Sequence, residues 1–94
     1  MAAYLMLTTL TDHGCETLKK NPERIKEVNS EVEAMGGKII SQYALLGDVD
    51  FATIIEAPDN GAVANISLNL CARGTVRIQT LPAVEVDDFI ASLK

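Results

Sequence analysis

Apolar residues recur along this chain in two rhythms, and the changes between them mark out its elements. From Ala3 to Leu10 they alternate, with Leu5 and Leu7 on one face and Tyr4, Met6 and Thr8 on the other, which predicts a first strand. Thr11–Asn21 is polar with a short apolar insert and predicts no more than a turn of helix around Cys15–Lys20. Asn21 as N-cap, Pro22 at the first helical position and Glu23 in the first turn then open a helix. Its apolar face is Ile25, Val28, Val32 and Met35, and Gly36-Gly37 supplies the stop.

The rhythm returns to period two in the runs Lys38–Leu46 and Asp50–Ala57, which flank Gly47-Asp48-Val49 and are closed by Pro58-Asp59-Asn60. β-Branched and aromatic residues bounded in this way predict a hairpin. Asp59 or Asn60 caps a second helix carrying Val63, Ile66 and Leu70, and Gly74 ends it. Thr75–Val84 is the fourth strand, with Pro82 implying an edge or terminal place. Val86, Phe89, Ile90 and Leu93 mark a short C-terminal helix that folds back onto the sheet or onto a neighbour. The order is β-α-β-β-α-β plus a tail helix. Right-handed crossovers turn that order into an α+β, ferredoxin-like domain spanning residues 1–94: a four-stranded antiparallel sheet with two helices on one face.

Two helices leave the second face of the sheet bare. A two-residue turn at Gly47-Asp48 pairs Tyr43 with Ala52, Ser41 with Ile54, Ile39 with Glu56 and Leu45 with Asp50, and puts these residues on one face. Ile40, Gln42, Ala44, Phe51, Thr53 and Ile55 take the other. Both faces are largely apolar, where a solvated face would alternate to polar. With Tyr4, Met6 and Leu81 added, the uncovered face becomes a patch of a size that soluble monomers rarely leave bare. A second copy packed sheet against sheet about a two-fold axis is the favoured cover, and the C-terminal helix of the same chain is the alternative.

Composition narrows the function. The chain has 94 residues, is 48% hydrophobic and only 4% aromatic, so its core is aliphatic and offers no platform for stacking bases. The net charge is −5 with 8 Lys and Arg, which argues against nucleic acid as a partner. No apolar run approaches a membrane span, no secretory signal is read at the start, and a cytoplasmic location with unpaired Cys15 and Cys71, buried or inert, is expected.

No residue is assigned a catalytic role, and no metal or cofactor is expected. His13, the sole histidine, lies on a polar loop after the first strand and is the acid–base candidate. Glu56 lies among Ala52 and Ile54 on the uncovered face, with Arg77 and Gln79 projecting from the fourth strand to that side. There Glu56 and Arg77 either meet a small polar ligand or form an intersubunit ion pair. The candidate ligand-binding set is Tyr4, His13, Tyr43, Asp50, Glu56 and Arg77, with the tyrosines giving hydroxyls and Asp50 and Glu56 accepting.

Around the hairpin the chain resembles the GYD-domain family, small proteins of largely unknown function named for a Gly-x-Tyr-Asp stretch. The matching pieces are Tyr43-Ala-Leu-Leu-Gly47, Asp50-Phe51, Glu56-Ala57-Pro58-Asp59, Gly74-Thr-Val-Arg77 and Thr80-Leu81. The family's tyrosine falls at Val49, so no role for that phenol carries over, whereas Gly47 and Asp50 remain. The resemblance implies a ferredoxin-like fold related to dimeric α/β barrels and brings no established catalytic residues. The reading is therefore a homodimer, or higher homo-oligomer, with a non-catalytic role: binding a small molecule, or structural and interacting through the sheet face. The alternative is a cofactor-independent monooxygenase- or isomerase-like enzyme working between the sheets, an inference from fold alone.

Overall fold

In the computed structural model, which describes all 94 residues, the elements run β1 (Ala2–Leu10), α1 (Asp12–Lys20), α2 (Arg24–Ala34), β2 (Lys38–Ala44), β3 (Phe51–Ala57), α3 (Asn60–Cys71), β4 (Val76–Ala83) and α4 (Val86–Ser92). The strands form one antiparallel sheet in the order β2-β3-β1-β4, the ferredoxin-like arrangement. Pro82 sits on the edge strand β4, in register with Tyr4 of β1, the kind of position to which proline is confined within a sheet.

The segment after β1 is a full helix rather than a single turn. Thr11 caps it: its hydroxyl oxygen accepts from the Gly14 N–H at 3.1 Å, while the hydroxyl donates to the Gly74 carbonyl at 2.7 Å. Asp12 in the first turn and Lys19 and Lys20 in the last oppose the helix dipole at both ends. Asn21 closes this helix instead of opening the next one, and Pro22 and Glu23 form the turn between the two. Proline has no N–H to give to α1, so the helix stops there. The expected single helix from Pro22 is thus a shorter α2, and three helices cover one face of the sheet. At α3 the cap is Asp59, whose carboxylate accepts from the Ala62 N–H at 2.8 Å.

The hairpin register follows the predicted pairing for half its length. Tyr43 faces Ala52 and Ser41 faces Ile54, and the Leu45 N–H donates to the Asp50 carbonyl at 2.8 Å. A bulge at Ile40 then shifts the ladder, so Ile39 faces Ile55 rather than Glu56. One extra residue turns Ile39 to the helix side, where it packs against the core.

The face that strand one gives to the core is also the reverse of the expected one. Tyr4 and Met6 are buried beneath the helices with Ile55, Ala57, Val32, Val63, Ile66 and Leu70, so the bare face carries Leu5 and Leu7 instead. Tyr4 faces Ile55 on β3 and Pro82 on β4 and is 1% exposed. Its phenol is tolerated there because its O–H donates to Asn60 Oδ1 at 2.6 Å, at the start of α3. Tyr4→Phe is expected to lower stability by about 1 kcal/mol and the melting temperature by roughly 4–8 °C. A thermal melt superimposing on the parent's would show that the bond adds nothing.

Candidate functional site

Two regions have the makings of a site, one on each side of the sheet. On the bare side the residues form rows across the four strands. Ser41, Ile54, Leu5 and Leu81 make one row, and Tyr43, Ala52, Leu7 and Gln79 the next. Lys38, Glu56, Ala3 and Ala83 border this apolar centre at one end, and Thr9 and Arg77 at the other. A central apolar patch with a polar rim is the anatomy of a protein interface.

Beyond the sheet, α4 adds a second unpartnered surface. The Glu85 side chain caps it by accepting from the Asp87 N–H at 2.9 Å. Val86, Phe89, Ile90 and Leu93 follow at helical spacing, yet all four are between 45 and 71% exposed and no residue of α4 is buried. The tail helix does not fold back to cover its own sheet. Only 11 of 94 residues are buried, and 6253 Å² is accessible, against about 5,300 Å² for a folded monomer of this mass. The excess, roughly 950 Å², compares with the ~800 Å² that each partner contributes to a standard interface.

On the helix side a cavity of about 320 Å³ opens between α1, α2, the end of α3 and the sheet. Its apolar wall includes Met6, Leu18, Ile25, Val28, Phe51 and Ile78. A polar thread crosses it: Asn29 Nδ2 donates to Gln42 Oε1 at 2.8 Å, and Gln42 Nε2 donates to Thr53 Oγ1 at 3.2 Å. Arg24 and Arg73 line it as well. Both guanidiniums reach Glu31, with Arg24 at 3.2 Å, and Arg24 also holds Glu27 at 3.2 Å. The hydrogen bond from Arg73 is the main reason that the Glu31 carboxyl is held below its ordinary range; partial burial opposes it, and Arg24 assists. The Arg24 guanidinium is correspondingly pushed up, chiefly by its bond to Glu27.

The candidate residues do not converge on one site. Tyr43 and Arg77 share the bare face with Glu56, but Tyr43 lies on one edge strand and Arg77 on the other, three strand spacings or about 14 Å apart. Glu56 and Arg77 lie at opposite ends of the patch. Tyr4 is on the other side of the sheet, with its phenol already engaged. His13 is the second residue of α1, not part of a loop, and borders the cavity on the helix side. Asp50 serves the fold: its carboxylate accepts from the Leu10 N–H at 2.8 Å, and its own N–H donates to the Thr8 carbonyl at 2.9 Å. Cys15 is exposed and Cys71 half-buried, and both are unpaired, so neither thiol is fully buried.

Arg24, Arg73, Gln42 and Thr53 were not among the candidates from sequence. No spacing in the chain announces that Arg24 and Arg73, separated by two strands and a helix, end beside one carboxylate. Gln42 carried a signal, as a polar residue on a strand face otherwise apolar.

The sequence profile of the GYD domain matches residues 4–93. The chain belongs to the GYD domain family. It is also 52% identical, over 95 aligned positions that cover 100% of both proteins, to the "Glutamine synthetase and cystathionine beta-lyase binding protein" of Thermus thermophilus. That GYD relative is named for two proteins that it binds. No helix of the present GYD chain is long and apolar enough to cross a membrane.

Proposed function

We propose that this GYD protein works by binding proteins, a second copy of itself first and an enzyme client second, rather than by transforming a substrate, and that the bare sheet face together with α4 is the surface on which it dimerises. The carrying observation is the apolar patch around Leu5, Leu7, Ile54 and Leu81 with its charged rim, left open by a tail helix that points its own apolar stripe at solvent. The first occupant of that surface is a second copy, giving a homodimer whose two sheets face each other and whose α4 helices clasp the partner. An enzyme client is the second element of the reading, and it rests on the relative: glutamine synthetase and cystathionine β-lyase are the partners to try first.

The test mixes the purified protein with each enzyme from the same organism, in separate runs, and follows the complex by sedimentation velocity. Co-migration with at least one enzyme at micromolar concentration is the expected result. Independent sedimentation of both enzymes at tens of micromolar would overturn the client half of the proposal.

A further inference from the structure

The cavity on the helix side has a composition unlike the rest of the molecule. The chain carries 13 Asp and Glu and a net charge of −5. None of those carboxylates is among the 21 residues that line the cavity, whereas Arg24, Arg73 and the only histidine are. Glu27 and Glu31, which pair with the arginines, lie outside the lining. A guanidinium has five N–H donors, and these pairs engage only the Nη1 group of each arginine. Donors on Nε and Nη2 remain for a ligand.

The rest of the wall is mostly apolar, and its polar thread ends on the buried Thr53 hydroxyl. Thr53 Oγ1 accepts from Gln42 and donates to no protein acceptor. A volume near 320 Å³ falls at the small end of the range for ligand pockets, roughly 300–1,000 Å³. Arginine is the side chain best matched to a planar carboxylate, which it can hold with two parallel bonds.

We infer that this cavity binds a small amphipathic organic carboxylate, its anionic head at Arg24 and Arg73 and its apolar body between Val28, Phe51 and Ile78. The cavity opens on the opposite side of the sheet from Leu5 and Ile54, so ligand binding and protein docking can stand or fall separately. Filling it with the body of such a ligand buries apolar wall that the helices leave uncovered. His13 lines the same cavity and adds a ring nitrogen to its polar groups.

Straight-chain acids are a direct probe. Butanoate, hexanoate, octanoate and decanoate would be titrated by calorimetry into the full-length protein, with 1-octanol and octylamine as head-group controls. Affinity is expected to rise about fourfold per added methylene until the cavity is full, with one acid bound per chain. Octanol is expected to bind at least about tenfold more weakly than octanoate, since charge-assisted bonds are stronger than neutral ones, and octylamine not measurably. Arg24→Gln combined with Arg73→Gln should bring octanoate down to the level of octanol. Amide shifts in the parent protein should move at Val28, Thr53 and Ile78 rather than at Leu5 and Ile54, and Val28→Phe, which fills the space, should abolish binding. No binding up to about 10 mM would overturn the inference. So would octylamine binding as well as octanoate, or shifts confined to the bare sheet face.

Discussion

Gly14→Ala is expected to be among the most damaging single-methyl changes in this protein. Gly14 is buried in α1, and a Cβ built on it would lie 2.0 Å from the Thr75 carbonyl oxygen and 2.9 Å from the carbonyl carbon. Both are backbone atoms, so no side chain can swing aside. Relief requires α1 to move away from the segment entering β4, and that segment is held to α1 by several bonds. The Thr11 N–H donates to the Thr75 carbonyl at 3.0 Å, and the Thr11 hydroxyl joins the Gly74 carbonyl to the Gly14 N–H. Alanine is the better helix former by about 1 kcal/mol, which the lost bonds and overpacking exceed. The net loss should be about 2–4 kcal/mol, seen as a melting temperature lower by roughly 10–30 °C. Gly61→Ala in α3 is the control. Its Cβ would meet only Asp59 Oδ1, at an ordinary 3.5 Å, so it should leave stability unchanged or raised. A Gly14→Ala protein as stable as the parent would refute the close approach of α1 to Thr75.

That contact also shows where reading the sequence reaches its limit. Elements were legible wherever a periodic pattern met a terminator: Ile25 to Met35 before Gly36, or Val63 to Leu70 after Asp59. α1 was legible only as a turn around Cys15–Lys20, because Leu18 is nearly its whole apolar content and leaves no periodic face to mark its length. The hairpin register could be counted outward from Gly47 as far as Ser41. Lys38-Ile39-Ile40-Ser41 contains two adjacent isoleucines, and either can face inward, so the bulge left no mark in the pattern. Strand one posed the same problem in stronger form. Tyr4 and Met6 alternate with Leu5 and Leu7, and both pairs are apolar enough to face the core; the pair that is buried includes the phenol, whose O–H finds Asn60 as acceptor. The cavity was out of reach altogether. It is the space left between α1, α2, the end of α3 and the sheet, and it belongs to no run of residues.

Leu5→Glu is expected to leave the fold intact and to dissociate the proposed dimer. Leu5 sits on the central strand β1, facing Ile54 on one side and Leu81 on the other, with its side chain on the bare face. Within one chain a glutamate there stays in contact with water, so the core around Tyr4, Ile55 and Ile66 is undisturbed. Between two sheets, it becomes a buried charge without a partner, and a two-fold axis places one on each copy. Such a charge costs several kcal/mol, so association should weaken at least about a thousandfold. Removing residues 85–94 tests the other half of the surface. No residue of α4 is buried against its own chain, so the truncated protein should keep its far-UV spectrum while losing the partner's contacts. Sedimentation equilibrium at about 20–50 µM separates the outcomes, since an interface of standard size commonly holds at that concentration. The parent should sediment as a dimer and Leu5→Glu as a folded monomer, and the truncated chain should shift toward monomer. Should the parent itself be a monomer there, the sheet-to-sheet assembly is wrong, and the apolar face with α4 must be the seat of a different protein. A dimer that survives Leu5→Glu but not the truncation would move the interface to α4 alone, because a buried unpaired carboxylate at the centre of a packed sheet face is the one thing such an interface does not tolerate.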